Sequence, residues 1–414
     1  VSGGLAGVKT QLTTGNNGTV VATGPTGFLR ADAEASGVRG RVFWNRSRQV
    51  AKELLVLAEP AFDYDVADAT IGYGLALPFG NLLDVGGGYR LNAAQSGVFR
   101  PGVRRQSLWS VFGEDQCTIR PGVTAVVSGR LDHHPFTGWV ASPRGSVIVE
   151  PRHGDAIRLS GGRSFRNPTI MQNYLDFTQR FPNPGPLPPN PPFTAIESRL
   201  VGNEMLKPER MTMGEAAYTA SLGAVRATLV GFAYRLEDVI GTSDPETSVA
   251  KAPVFSVWNS YVGRGDVDAW GGEAGIEARV RRWLTLTANY SHERLKDEEG
   301  HLRNREAPRH KVNGGVVGRW RRITTGLFAD WVGRTEWNAA NPGAPREYFP
   351  LPAFLLVNAN LGCEIVEGLS ASVGAFNLLN RRHHEILGAE SPVRPGHNGE
   401  VIGRLVSGSV SYSF

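Results

Sequence analysis

The sequence predicts an all-β protein, a transmembrane antiparallel up-and-down β-barrel, from three observations. Apolar and polar side chains alternate over strand-length segments, connections alternate between short and long, and no apolar run reaches the ~18 residues of a membrane helix. Side chains on a strand point to opposite faces in turn, so strict alternation gives one greasy and one polar face. Val123, Ala125, Val127 and Leu131 oppose Thr124, Ser128 and Arg130. Leu284, Leu286, Ala288 and Tyr290 oppose Thr285, Thr287 and Asn289. Ile323, Leu327, Ala329 and Trp331 oppose Thr324, Gly326 and Asp330, and Leu355 to Cys363 repeats the pattern. Each run lasts about nine residues, enough to cross a bilayer at a tilt, and about 17 or 18 such strands are predicted.

The connections carry the topology. Tight turns are predicted at Ala35-Ser36-Gly37, Pro78-Phe79-Gly80, Arg120-Pro121-Gly122, Arg152-His153-Gly154, Leu222-Gly223, Arg281-Arg282 and Glu367-Gly368. Between them lie long polar loops near residues 47–63, 94–103, 133–143, 166–211, 237–266, 292–307, 334–351 and 381–400. Short turns on one side and long loops on the other are the rhythm of an outer-membrane barrel. In the longest loop, Asn167-Pro168-Thr169 reads as a cap ahead of a short helix starting on Pro168. Pro182 to Pro192 reads as an extended segment, because proline cannot join a ladder.

Composition removes other classes. The 414 residues carry a net charge of +5 with acids and bases interspersed, so no nucleic-acid face is expected. Cys117 and Cys363 lie far apart inside strands, which argues against a zinc or thiol-redox centre. The Gly86-Gly87-Gly88 run lacks a following helix, and no phosphate-binding loop or nucleophile motif is present. Neither enzymatic activity nor a cofactor is expected. His133-His134 and His383-His384 stand in loops by this reading, but their spacing fits no metal cage. The 51 glycines suit strands and turns better than helices.

The C-terminus and several motifs then meet a known family. Val406, Val410, Tyr412 and Phe414 share one strand face, and a last strand ending on Phe resembles the closing strand that the barrel assembly machinery recognises. Ser164-Phe165-Arg166-Asn167-Pro168-Thr169, then Gly202-Asn203 with Leu206-Lys207-Pro208-Glu209-Arg210, resemble TonB-dependent outer-membrane receptors. So do Phe136-Thr137-Gly138-Trp139 with Ser142-Pro143-Arg144, the run Gly271 to Glu277, the run Ala307 to Asn313, and Asn377-Leu378-Leu379-Asn380.

The resemblance implies a Gram-negative outer-membrane location. It implies energy-coupled uptake of a scarce, large nutrient: a ferric siderophore, haem, cobalamin or a glycan. TonB, membrane lipid and lipopolysaccharide would be partners. Whole transporters of this kind have 22 strands and a plugged lumen. Residues 1–414 are therefore expected to be part of such a barrel, without the plug or the first strands, and Val1 to Thr10 is no signal peptide. A plugless passive channel is the alternative, and a hydrolase at the rim a more distant one. Ligand contacts are sought among Arg163, Arg166, Tyr174, Arg199, Arg305 and Arg309, whose guanidinium groups (and one phenol) suit an anionic metal chelate, and at Trp337 deep in a loop. The competing reading gives these arginines loop ion pairs, with Arg166 and Asn167 holding the loop base. Trp109, Trp139, Trp283 and Trp331 read as interfacial anchors.

Overall fold

The computed structural model describes residues 1–14, 18–52, 61–182, 193–297, 307–338, 348–384 and 401–413. The first nine strands follow one another: β1 (Ser2–Thr14), β2 (Gly18–Ala35), β3 (Val38–Lys52), β4 (Ala61–Leu77), β5 (Asn81–Ser96), β6 (Arg104–Arg120), β7 (Val123–His134), β8 (Gly138–Val149) and β9 (Asp155–Arg166). A short helix, α1 (Ile170–Tyr174), precedes β10 (Asp176–Pro182) and β11 (Ala195–Val201). Then come β12 (Glu209–Leu222), β13 (Val225–Glu237), β14 (Ile240–Thr242), β15 (Glu246–Ser248), β16 (Val254–Gly263), β17 (Val267–Arg281) and β18 (Leu284–Asp297). The chain ends with β19 (His310–Trp320), β20 (Ile323–Val332), β21 (Thr335–Asn338), β22 (Tyr348–Leu351), β23 (Phe354–Val366), β24 (Leu369–Phe376) and β25 (Leu405–Tyr412).

Eighteen strands form one sheet, each paired antiparallel with its neighbour in sequence once the loop strands are set aside. The step from β9 to β12 passes over α1, β10 and β11. Among the described residues β1 and β25 do not pair, so the sheet is open. A smaller sheet of β10, β11, β14, β15 and β16 sits in the long loops, and β11 runs parallel to β16.

Register makes the two faces explicit, because residues directly opposite on neighbouring strands share a face. One row reads Ile157, Tyr218, Leu229, Ala274, Tyr290, Val312, Trp331, Leu355 across eight strands. The row beside it on the other face reads Thr219, Thr228, Gly275, Asn289, Asn313, Asp330. The first face is exposed yet apolar, which suits lipid; the second is polar, and Asn289 donates to Asn313 at 2.8 Å. The polar face also carries cross-strand ion pairs, among them Arg41–Asp32, Arg39–Asp84 and Arg90–Asp68, and a pair along β7, Arg130–Asp132.

Aromatic side chains mark both edges of the apolar band. Tyr89, Trp109, His133 and Trp139 form a row at the long-loop end, while Trp283 and Trp320 lie at the short-turn end. From Ile323 to Trp331 the band spans roughly 27 Å along the strand at ~3.4 Å per residue, a rise of about 21 Å at a tilt of about 40°, which covers most of an apolar band ~25 Å tall.

All seven predicted tight turns are present. At Gly122 the reason is local: φ is +77°, and its carbonyl accepts the Glu150 N–H at 2.7 Å. Three expectations change. The loop expected near 133–143 shrinks to residues 135–137, because β7 and β8 keep pairing as far as His134 and Gly138. The helix begins at Ile170 rather than Pro168, because Thr169 is its N-cap. An eighth tight turn at Arg321-Arg322 joins β19 to β20 without glycine or proline, Arg321 itself taking φ +54°. Residues 183–192 of the proline-rich stretch, and Phe414, lie outside the described residues.

Candidate functional site

The polar face ends, on the long-loop side, beneath the α1 segment. Thr169 starts the helix by a reciprocal cap: Gln172 N–H donates to Thr169 Oγ1 at 3.2 Å, and Thr169 N–H donates to Gln172 Oε1 at 2.9 Å. Five helical residues cannot hold themselves together in water, so tertiary contacts must fix them. Ile170, Tyr174 and Leu175 bury against Ala94 of β5 and Val98 and Phe99 of the β5–β6 connection, with Phe62 and Phe136 packed alongside. Phe136 meets Tyr174 edge-on at 5.6 Å, and Arg104 lies over the Tyr174 ring at 5.1 Å. Burial raises the Tyr174 phenol above its ordinary pKa.

Polar contacts lock the register of this packing. Asn173 is fully buried; it accepts from Gln106 of β6 at 3.0 Å and donates to the Asn203 carbonyl at 3.1 Å. Arg100 N–H donates to the Tyr174 carbonyl at 3.0 Å, and Asp176 N–H to the Val98 carbonyl at 2.9 Å. Gly202 closes the other side: a Cβ there would stand 2.6 Å from the Asn173 backbone. Gly202 N–H donates to the Leu175 carbonyl at 2.7 Å.

Between this segment and the wall lies a cavity of about 370 Å³, lined by Tyr64, Asn92, Gln106, Leu108, His134 and Asn167, with α1 as its roof. His134 is its distinctive group. Only 1% of the residue is exposed, and its Nδ1 accepts the Phe136 N–H at 3.3 Å. That bond places the ring proton on Nε2, which has no hydrogen-bond partner among the described residues. A buried donor left unpaired is costly, and an oxygen acceptor entering the cavity would satisfy it. Asn167 is positioned by Thr137, whose Oγ1 donates to its Oδ1 at 3.0 Å.

The residues expected from sequence are placed as follows. Tyr174 is buried in the α1 packing beside the cavity. Arg166 pairs with Glu209 where β9 and β12 converge, at the base of the loop. Arg199 of β11 donates twice to Asp176, at 2.9 and 3.0 Å. Arg163 stands on the apolar-face side of β9 above the aromatic edge and donates to Thr212 at 3.3 Å. Arg309 is half-buried, and its carbonyl accepts the Glu293 N–H at 3.1 Å. Arg305 and the side chain of Trp337 lie outside the described residues. The structure therefore does not gather the described ones, Arg163, Arg166, Tyr174, Arg199 and Arg309, into one site. His133 and His134 point to opposite faces of β7, and the described residues contain no cluster that could hold a metal ion. Asn92 and Gln106 escaped the sequence reading because a polar strand residue gives no sign that a helix will later cover it.

Comparison with known proteins follows this geometry. A family model described as TonB dependent receptor-like, beta-barrel matches residues 8–378. No curated protein matches the chain. Among solved structures, a mutant ferric enterobactin receptor, PfeA, of Pseudomonas aeruginosa in complex with enterobactin has a TM-score of 0.76 at 15% identity, covering 96% of this chain and 63% of that one. The siderophore receptor PirA of Acinetobacter baumannii gives 0.71 at 15% identity, with the same coverages of 96% and 63%. The iron transporter FrpB of Neisseria meningitidis gives 0.70 at 14%, covering 96% of this chain and 64% of that one. The chain thus spans less than two thirds of the length of these structures, and at such identities the likeness is one of fold.

Proposed function

The chain belongs to the TonB-dependent receptor β-barrel family, and on that premise we propose that it serves energy-coupled uptake of a large, scarce nutrient across a Gram-negative outer membrane. Family and fold are those of transport receptors. The observation that carries the reading is the family match across nearly the whole chain, joined to a sheet with one lipid-like and one polar face. A ferric siderophore is the favoured cargo, since solved receptors of the same fold include those for ferric enterobactin. The cavity beneath α1 supports this by gathering the polar side chains of Asn92, Gln106, His134 and Asn167 around one space on the polar face. TonB would supply the energy, and the assembly machinery would engage the strand ending at Phe414. We further propose that the open sheet is part of a 22-stranded barrel with a plug, which fits both its two unpaired edges and the greater length of the solved relatives.

The test is complementation. The gene encoding this chain is expressed in a Gram-negative strain lacking its own catecholate receptors, under iron limitation, with a panel of ferric siderophores. Growth on at least one of them, abolished when TonB is deleted, is expected. Uptake that persists without TonB would replace this reading with a passive channel.

A further inference from the structure

One sector of the short-turn end is basic. The turns β12–β13, β17–β18 and β19–β20, with the strand ends beside them, carry Arg226, Arg279, Arg281, Arg282, Arg319, Arg321 and Arg322, all exposed. Backbone bonds set these turns side by side: Arg279 N–H donates to the Ala224 carbonyl and Arg319 N–H to the Trp283 carbonyl, each at 2.8 Å. Across residues 222–226, 277–285 and 317–324, Glu277 is the single acid. The sector therefore holds an excess of six positive charges, more than the +5 of the whole chain. The basic character of the molecule is concentrated here.

Elsewhere on the polar face arginines are answered, Arg39 by Asp84, Arg41 by Asp32 and Arg158 by Glu215. Among the described residues none of the seven has a carboxylate partner. Arg281 donates to the Val280 carbonyl at 3.2 Å, Arg322 donates to the Ile365 carbonyl at 3.3 Å, and Arg321 lies over the Trp320 ring at 5.6 Å. The basic sector stops at the next turn, where Glu364 and Glu367 join β23 to β24. Like charges left together repel, and a bound anion relieves that repulsion.

Register puts Arg226, Arg279 and Arg319 on the polar face, in line with Glu277, Thr285 and Thr324. Arg279 lies two residues beyond Glu277, the partner of Arg226. Arg319 faces Trp283, two residues beyond Thr285, the partner of Arg279. At ~4.8 Å per strand and ~3.4 Å per residue, the three follow one another at about 8 and 12 Å, and the whole row spans about 20 Å. Strand tilt runs the other way: a register row that starts at Asp155, beside a short turn, reaches Ala329 near the far end of β20. The tilt nearly cancels the offsets, so the three guanidinium groups stand at one level along the inner rim.

Resting on the outer-membrane reading above, which puts this end in the periplasm, we infer that the arginine rim is a docking site for an acidic peptide segment lying extended across it. An extended chain spaces alternate side chains ~6.8 Å apart on one face, so carboxylates at alternate residues match the row from Arg226 to Arg319. Each guanidinium can take a carboxylate through two parallel N–H bonds. The polar-face position of these three arginines selects a peptide over lipid phosphates, which are confined to the other face of the wall.

The test uses the full chain folded in a neutral detergent. Its probe is a fluorescein-labelled peptide of alternating glutamate and serine, with the glutamine–serine peptide as control, and anisotropy reads the affinity. The wild-type chain is expected to bind the glutamate peptide, more weakly as salt rises, and not the glutamine peptide. Arg226→Gln, Arg279→Gln and Arg319→Gln together should weaken binding about tenfold, through the loss of three exposed ion pairs. Arg294→Gln with Lys296→Gln, which removes exposed cations at the long-loop end, should leave it unchanged. No binding, or equal affinity in the wild type and the triple variant, would overturn the site. Phosphatidylglycerol vesicles that strip the labelled peptide as effectively as unlabelled peptide does would assign the arginines to lipid headgroups, and would overturn it as well. A chain that fails to float with phosphatidylcholine vesicles would overturn the membrane reading separately, because peptide affinity is read in detergent.

Discussion

Gln106 in the barrel wall donates to Asn173 in α1 at 3.0 Å, with both side chains buried, and this bond ties the loop segment to the sheet. Removing one partner leaves the other buried and unpaired, at a cost of about 1–3 kcal/mol. Asn173→Ala should therefore loosen α1 without disturbing the strands. Limited proteolysis of the folded protein should show new cuts within residues 167–182, at unchanged strand content by circular dichroism. An unaltered digestion pattern would mean that apolar packing alone holds the segment.

Leu286 lies on the lipid-like face and Thr287 on the polar face, where it stands opposite Glu277. Leu286→Arg should cost about 2–4 kcal/mol near the midplane, and Thr287→Arg far less, since its new charge faces a carboxylate. Urea titration of folding into lipid vesicles measures both. Equal destabilisation would show that the two faces are assigned wrongly.

How much of this was legible in sequence depends on what fixed each feature. The strands around Leu286 and Val127 were readable because lipid demands apolar side chains at every second position. Turns at Gly122 and Gly154 were readable because their positive φ favours glycine. Arg321 adopts the same region with no such marker, and strand pairing on both sides imposes it. The site was less legible. Its floor comes from Asn92, Gln106 and His134 on three strands and its roof from a helix some forty residues past Leu131, a juxtaposition set by packing. Thr169 and Gln172 carry a capping signal in the sequence, but Pro168 competes with it, because proline also suits the first position of a helix.

Asp266, in the connection between β16 and β17, accepts from Arg235 at 2.7 Å and from the Asp238 N–H at 3.1 Å. The Arg235 bond is the chief cause holding its carboxyl below the ordinary aspartate range. A carboxyl depressed in the folded state stabilises above its unfolded pKa of about 3.9, and that contribution is lost as pH falls through the lower folded value. Protease resistance of residues 238–266 should thus weaken below about pH 4 in the wild type. Asp266→Asn should begin weaker at neutral pH and lose this acid dependence. Identical acid profiles for the two proteins would show that Asp266 does not hold the loop.

The buried histidine offers the sharpest test of the proposed cargo site. His134 lines the cavity, and with Nδ1 occupied by the Phe136 N–H its remaining donor, Nε2–H, is covered and has no hydrogen-bond partner among the described residues. His134→Phe keeps much of the ring volume and removes the donor, while His134→Gln keeps an amide donor on a flexible stem. If an oxygen of the cargo accepts from this position, His134→Phe should weaken binding of a ferric catecholate about tenfold, the worth of one hydrogen bond of ~1.4 kcal/mol. His134→Gln should recover part of the loss. Tryptophan fluorescence quenching in detergent measures the affinities, and thermal unfolding separates them from damage to the α1 packing. Unchanged affinity in a destabilised His134→Phe protein would assign the histidine to folding and move the cargo contacts to another part of the polar face.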